Sequence, residues 1–176
     1  AFRREMRVYS DGCHVAADAE SLAAFRAECA RVLLAELAID AEPEAAERVL
    51  SDAVAFRLLP GAEQLFAGLA DAGVPAAVVS NWDYSLRRTL SGLGIDPDAV
   101  VTCGETGVRK PDRRIFEEAL GRLGVAPEDA LHVGDSPDTD GAGATAAGID
   151  VRILDRTGER AGPDTIAALT DVLELL

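Results

Sequence analysis

The sequence predicts an α/β fold: a parallel sheet with helices on both faces, joined to a small all-helical unit. Three observations carry this prediction. From about residue 58 onward, short apolar runs alternate with helical periods. The residues before that point hold no strand signal. Glycines or prolines stand at most of the junctions between segments.

At 176 residues the chain suits one domain, or one domain with a small appendage, and its 48% hydrophobic content supports a real core. No run approaches the ~20 apolar residues of a membrane span, and no signal peptide is read at the start. A net charge of -14 excludes nucleic acid and anionic membrane surfaces as expected partners. Three cysteines, Cys13, Cys29 and Cys103, are odd in number and form no C-x-x-C pattern. They are read as small packing residues in a reduced, cytoplasmic setting.

Taken in order, Ala1 to about Ala55 reads as helical throughout. Ser21 to Leu37 carries Leu22, Phe25, Cys29, Val32, Leu33 and Leu37 near the 3.6 period, with Asp18 as N-cap. Pro43 opens a second helix with Ala46, Val49, Leu50 and Val54 on one face. After Leu58-Leu59-Pro60-Gly61 a helix of about Ala62 to Ala72 ends at Gly73, a left-handed cap. Pro75 to Val79 is a first apolar run, followed by Ser80-Asn81 and a helix to Leu93, closed by Gly94. Ala99-Val100-Val101 is a second run. Pro111 opens a helix through Leu123, and Gly124 closes it. Ala130 to Val133 is a third run, leading into an acidic loop and a helix to Ala147. Asp150 to Leu154 is a fourth, and Pro163 to Leu176 reads as a terminal helix.

Right-handed crossovers in such a sheet put every strand-to-helix loop at one edge, where ligands of these folds bind. Ser80-Asn81, the Cys103 to Lys110 loop and Asp135 to Asp140 are thereby expected beside one crevice. They offer a hydroxyl, an ammonium and a carboxylate cluster. Of the 17 basic residues only Lys110 is a lysine, and its compact point charge is not replaced by a planar guanidinium. Oxygen ligands suit magnesium, and with only two histidines, His14 and His132, zinc is disfavoured. His132 lies in the third run and is read as a buried structural histidine. The segment from Asp135 is no calcium loop, because Ser136 and Ala147 stand where acids would be required.

Three stretches carry a resemblance: VVSNWDYSL from Val78, GETGVRKPDRRIFEEAL from Gly104 and LHVGDSPDTDGAGATAAGI from Leu131. In this order and spacing they resemble the haloacid dehalogenase-like hydrolase superfamily, in its subfamily with a helical cap after the first strand. The resemblance implies a Rossmann-like core over residues 58–176 and a cap over residues 1–57. It implies a magnesium-dependent phosphatase-type hydrolase that acts on a small phosphorylated metabolite through an aspartyl-phosphate intermediate.

Residue by residue, Ser80 matches the hydroxyl that bonds the transferring phosphoryl oxygen, with Asn81 beside it. Lys110 matches the lysine that pairs with the nucleophile and the phosphoryl charge. Asp135 matches the acidic Mg2+ ligand, and Asp140 the second acid, acting directly or through water. Ser136 adds a supporting bond, Trp82 lies near the crevice mouth within reach of substrate, and Asp138 is a solvated loop acid. Arg26, Arg31 and Arg57 are read as solvated surface arginines.

One departure is large. The family's nucleophile motif, D-x-D-G-T after an apolar strand, has no match before the cap. Tyr9-Ser10-Asp11-Gly12-Cys13 places Tyr9 at the nucleophile's position, and Glu5-Met6-Arg7-Val8 is a poor strand. Asp11-Gly12 is therefore read as a loop between helices, and the nucleophile is expected upstream of Ala1. The family's first strand lies mid-sheet, so its absence is expected to leave ladder groups unpaired on both neighbours. Two other readings remain: a metal-independent 2-haloacid dehalogenase, and a non-catalytic module with the same fold.

Overall fold

Capping and periodicity place the helices of the first part where the sequence suggests. The computed structural model describes residues 8–9, 11–160 and 162–176. The expectations for Glu5, Met6, Arg7 and Ser10, and for the side chain of Leu50, lie outside the described residues. Helix α1 spans Ala19–Leu37 and starts on Asp18, whose side chain accepts the Ser21 amide at 2.8 Å while the Ser21 hydroxyl accepts the Asp18 amide at 3.1 Å. Its buried stripe is Leu22, Cys29, Ala30 and Leu34, whereas Leu37 is exposed.

Helix α2, Pro43–Ala53, packs along α1. The expected apolar face of α2 is only partly covered, since Val49 and, beyond the helix end, Val54 are exposed. Asp11 and Gly12 are helical, continuing into a 3-10 turn at Cys13–Val15, and so do not form the loop expected of them. The turn's hydrogen bonds are local, and the chain needs no glycine conformation there.

The second part alternates as predicted. Helix α3 (Ala62–Asp71) precedes strand β1 (Ala77–Ser80), helix α4 (Leu86–Gly92) and strand β2 (Ala99–Thr102). Short helix α5 (Cys103–Thr106) and helix α6 (Arg113–Leu123) lead to strand β3 (Leu131–Gly134). A wide turn at Pro137–Gly141 runs into helix α7 (Ala142–Ala146), followed by strand β4 (Asp150–Leu154). The C-terminal stretch is not one helix. Thr165–Ile166 form a short strand β5 on the edge of β4, and a 3-10 helix covers Leu169–Leu175. The β-branched pair finds a ladder there, and the Asp171 carboxylate accepts the amides of Ala167 and Ala168, each at 3.0 Å.

All strand pairs are parallel, but the sheet is in two pieces. β1 pairs with β2 from Ala77↔Ala99 to Ser80↔Thr102. β3 pairs with β4 from Leu131↔Asp150 to Gly134↔Ile153, with β5 beyond. Among the described residues no strand lies between β1 and β3. Burial follows this break: the four residues of β2 are buried, whereas those of β1 are only half-buried and Leu131 of β3 is exposed. In an intact parallel sheet the middle strands are the most buried.

The core lies on the α6 side of the sheet. Ile115, Phe116, Ala119 and Leu120 of α6 pack with Val101, Cys103, Ala144 and Ile149, and Cys13 joins them from the helical part. Each fully buried large apolar side chain here contributes roughly 1.5–3 kcal/mol. Gly104 lets two segments meet, since a Cβ there would stand 2.6 Å from the Ala16 carbonyl oxygen and 2.7 Å from the Tyr84 amide nitrogen. No helix among the described residues is long and apolar enough to cross a membrane.

Candidate functional site around Lys110 and Asp140

The carboxyl ends of β1, β2 and β3 carry the three loops singled out above. Ser80 is the last residue of β1, half-buried and in register with Thr102. Asn81 follows and grips the backbone of Lys110 from both sides: its Oδ1 accepts the Lys110 amide at 2.8 Å, and its Nδ2 donates to the Lys110 carbonyl at 3.1 Å. This two-point hold orients the Lys110 side chain across the break in the sheet.

The Lys110 ammonium donates to the Val79 carbonyl of β1 at 3.1 Å and to Asp140 Oδ1 at 2.6 Å. It thereby takes up a carbonyl on the open edge of β1, which is otherwise without a strand neighbour. Asp140 is 3% exposed and collects three donors. His132 Nε2 lies 3.1 Å from the same Oδ1, and the Ser136 amide donates to Oδ2 at 3.1 Å. An ionised carboxylate only accepts, so the His132 Nε2 carries a proton. Burial alone would raise the Asp140 carboxyl, but the bonds from His132 and Lys110 outweigh it and hold the group well below the usual carboxylate range.

The acidic loop folds to present this carboxylate. Ser136 caps the turn, its hydroxyl accepting the Thr139 amide at 3.3 Å and its carbonyl accepting the Asp140 amide at 2.8 Å. Gly134 makes room: a Cβ there would stand 2.3 Å from Asp140 Cγ and 2.4 Å from its Cβ. Gly134→Ala is therefore expected to cost about 2 kcal/mol through overpacking, read as a lower urea midpoint with an unchanged slope.

Asp135, at the end of β3, is exposed, and its carbonyl accepts Arg160 Nη1 at 3.3 Å. Asp138 is exposed on the turn. The magnesium expected from the sequence would have to be held by Asp135 and Asp140. Among the described residues no three histidine, cysteine or acidic side chains converge as a metal centre. The Asp140 carboxylate is already engaged by an ammonium, an imidazole and an amide, which leaves Asp135 as the accessible oxygen donor. The residues here do not fit a complete magnesium site on their own.

Trp82 is half-buried, edge-on to Phe56 at 5.1 Å and to Tyr9 at 6.4 Å, with its indole nitrogen buried and unbonded among the described residues. It stands where the helical part meets the sheet.

Two groups have partners here that the sequence reading did not assign. Asp83 is fully buried, bonding the Ser85 amide at 2.7 Å and the Tyr9 hydroxyl, with Arg26 Nη2 at 3.6 Å. Burial and the bond to Asp83 push the Tyr9 hydroxyl well above its ordinary value. Arg26 is accordingly no simple solvated arginine, although Arg57 is exposed and Arg31 pairs with Glu28. The other group is His132, which packs edge-on against Phe116 at 5.0 Å as a structural histidine would, yet also bonds Asp140. The only sequence signal for Asp83 was its place next to Ser80-Asn81.

Comparison with known proteins bears on this geometry. A protein-family model described as haloacid dehalogenase-like hydrolase matches residues 11–148. The chain is 45% identical over 96 residues to haloacid dehalogenase-like hydrolase domain-containing protein 3 of Mus musculus, covering 53% of this chain and 38% of the mouse protein. It is 37% identical over 116 residues to phosphoserine phosphatase of Thermus thermophilus, covering 64% of this chain and 47% of that protein. The match thus spans less than half the length of either relative. Among solved structures, a dehalogenase with an intermediate complex superposes with a TM-score of 0.77 at 23% identity, covering 99% of this chain and 80% of that one. At that identity the likeness concerns the fold.

Proposed function

Because the chain belongs to the haloacid dehalogenase-like hydrolases, we propose that the whole protein is a phosphatase of small phosphorylated metabolites. It would work through an aspartyl-phosphate intermediate. The observation that carries this reading is the Lys110 ammonium bonded both to the Val79 carbonyl, one residue before Ser80, and to Asp140, across the break between β1 and β3. A further strand paired to the open edge of β1 would bring a carboxylate at its end toward the Lys110 ammonium. Such a carboxylate is the nucleophile this reading requires, and none of the described residues supplies it.

Within this reading the chain's own residues have defined tasks. The Ser80 hydroxyl donates to an oxygen of the transferring phosphoryl group. Lys110, held by Asn81, balances charge on the nucleophile and the phosphoryl group. Asp140 fixes the ammonium, and His132 and the Ser136 amide fix Asp140. Trp82 and the helical segment close over the crevice as a cap and meet the substrate's organic part. Magnesium dependence belongs to the same proposal, with Asp135 as this chain's accessible oxygen donor and the remaining ligands carried on the additional strand. The phosphatase name of the Thermus relative supports the substrate class.

The assay is p-nitrophenyl phosphate hydrolysis by the full-length protein, with magnesium and with a chelator. Turnover that needs magnesium is expected, and the 176-residue chain alone should give none. Turnover of 2-haloacids indifferent to chelator would favour the dehalogenase instead. A full-length protein inert toward both substrate classes would favour the non-catalytic module.

A further inference from the structure

Cys13 and Cys103 are 90 residues apart in sequence, yet their sulfur atoms lie 3.0 Å from each other, and both residues are 0% exposed. Cys13 opens the 3-10 turn before helix α1, and Cys103 opens helix α5 directly after β2. From this geometry we propose that Cys13 and Cys103 form a reversible intramolecular disulfide site, oxidised by peroxides and reduced by dithiols, that ties the helical segment to the sheet.

The surroundings favour the pair over chance packing of two small residues. The segments that carry them are already joined, because the Tyr84 amide donates to the Ala16 carbonyl at 3.1 Å and the Gly104 amide donates to the Trp82 carbonyl at 3.0 Å. Closing a disulfide needs an approach of only about 1 Å from the present separation. Arg109 bonds the Asp11 carbonyl at 3.0 Å, two residues before Cys13, and its positive charge favours the ionised form of both thiols. With Cys13 donating to the Cys103 sulfur, that bond lowers the Cys103 thiol below its ordinary value. Burial opposes the shift and Arg109 adds to it, while Cys13 is held above its own value. Either sulfur can donate in this contact, so either can attack first and the other resolve.

The chemistry balances with a peroxide as oxidant. The thiolate of one cysteine attacks one peroxide oxygen, an S–O bond forms and the O–O bond breaks. The departing oxygen takes the proton that the thiol gave up and leaves as water or alcohol. The other thiol of the pair then attacks the sulfenic sulfur, the S–S bond forms, the S–O bond breaks, and its proton leaves with the hydroxyl as water. The two sulfurs together lose two electrons, which the peroxide gains. Access comes from local opening of the three-residue turn Cys13–Val15, whose last residue is 54% exposed.

The bond would fasten the start of α1 beside the loop of Asn81, Trp82 and Asp83, so it bears on the candidate site without using any of its residues. The test uses the native chain treated with hydrogen peroxide, then denatured and labelled with a maleimide. Thiols should fall from three to one per chain, with a mass lower by two hydrogens. Digestion should yield one cross-linked peptide pair holding Cys13 and Cys103, and dithiothreitol should restore all three thiols. Cys29→Ser should behave the same with one thiol fewer, which keeps the test valid if Cys13→Ser or Cys103→Ser fails to fold. Three labelled thiols after treatment, a bridge that includes Cys29, or cross-links only between chains would each overturn the proposal.

Discussion

Asp140→Ala lowers the midpoint of thermal unfolding by roughly 6–12 °C, the shift that about 3 kcal/mol produces in a chain of this size. The reason is the set of groups left behind. The Lys110 ammonium, 13% exposed, would keep only the Val79 carbonyl, and the protonated His132 Nε2 and the Ser136 amide would lose their acceptor. Asp140→Asn keeps the shape but not the charge and should fall between alanine and the native residue.

The same variant carries a pH signature. The folded-state carboxyl lies below its ordinary value of about 3.9. Its contribution is therefore fully present above that ordinary value and is lost as pH falls through the lower native one. Calorimetry from pH 7 downward should show the gap between the native chain and Asp140→Asn holding constant to about pH 4 and narrowing below it. A gap that widened with acid would contradict this account of the Asp140 environment.

Lys110→Ala in the full-length protein is expected to lower kcat for p-nitrophenyl phosphate by about 10²–10³-fold, the scale of one preorganised charge-stabilising donor. KM should change far less, because the ammonium acts on charge that develops in the transition state. Lys110→Arg should not restore the rate. The site is a narrow gap between Val79 and Asp140, where a point charge fits and a planar fork does not. A Lys110→Arg variant of near-native turnover would remove Lys110 from the reading. Thermal unfolding of the same variants separates this loss from the stability that the Lys110–Asp140 pair also provides.

Much of the fold was legible because its signals are local. Asp18 caps α1 as its position before an apolar period indicates. Gly73, Gly94 and Gly124 take the positive φ that ends a helix, at 69°, 77° and 68°. The apolar runs became β1 to β4 with ends shifted by at most two residues. Lys110 stood out as the single lysine, and it pairs with Asp140 of the acidic loop. The C-terminal stretch misled because Thr165–Ile166 answer to the neighbouring β4 edge, a contact that no helical period within the stretch reveals.

What the sequence by itself determined is the alternation of elements, their caps, and the three loops that carry the hydroxyl, the ammonium and the acidic cluster. Those follow from propensities and periods that act over a few residues. Only the tertiary structure decided that Asn81 clamps Lys110, that His132 and Lys110 share one oxygen of Asp140, and that Asp83 is buried under Tyr9 and Arg26. It also decided that Cys13 meets Cys103 and that the sheet is open between β1 and β3. Each of these joins residues far apart in the chain. Such meetings are set by how the layers pack and which edges pair, not by anything a short window of residues encodes.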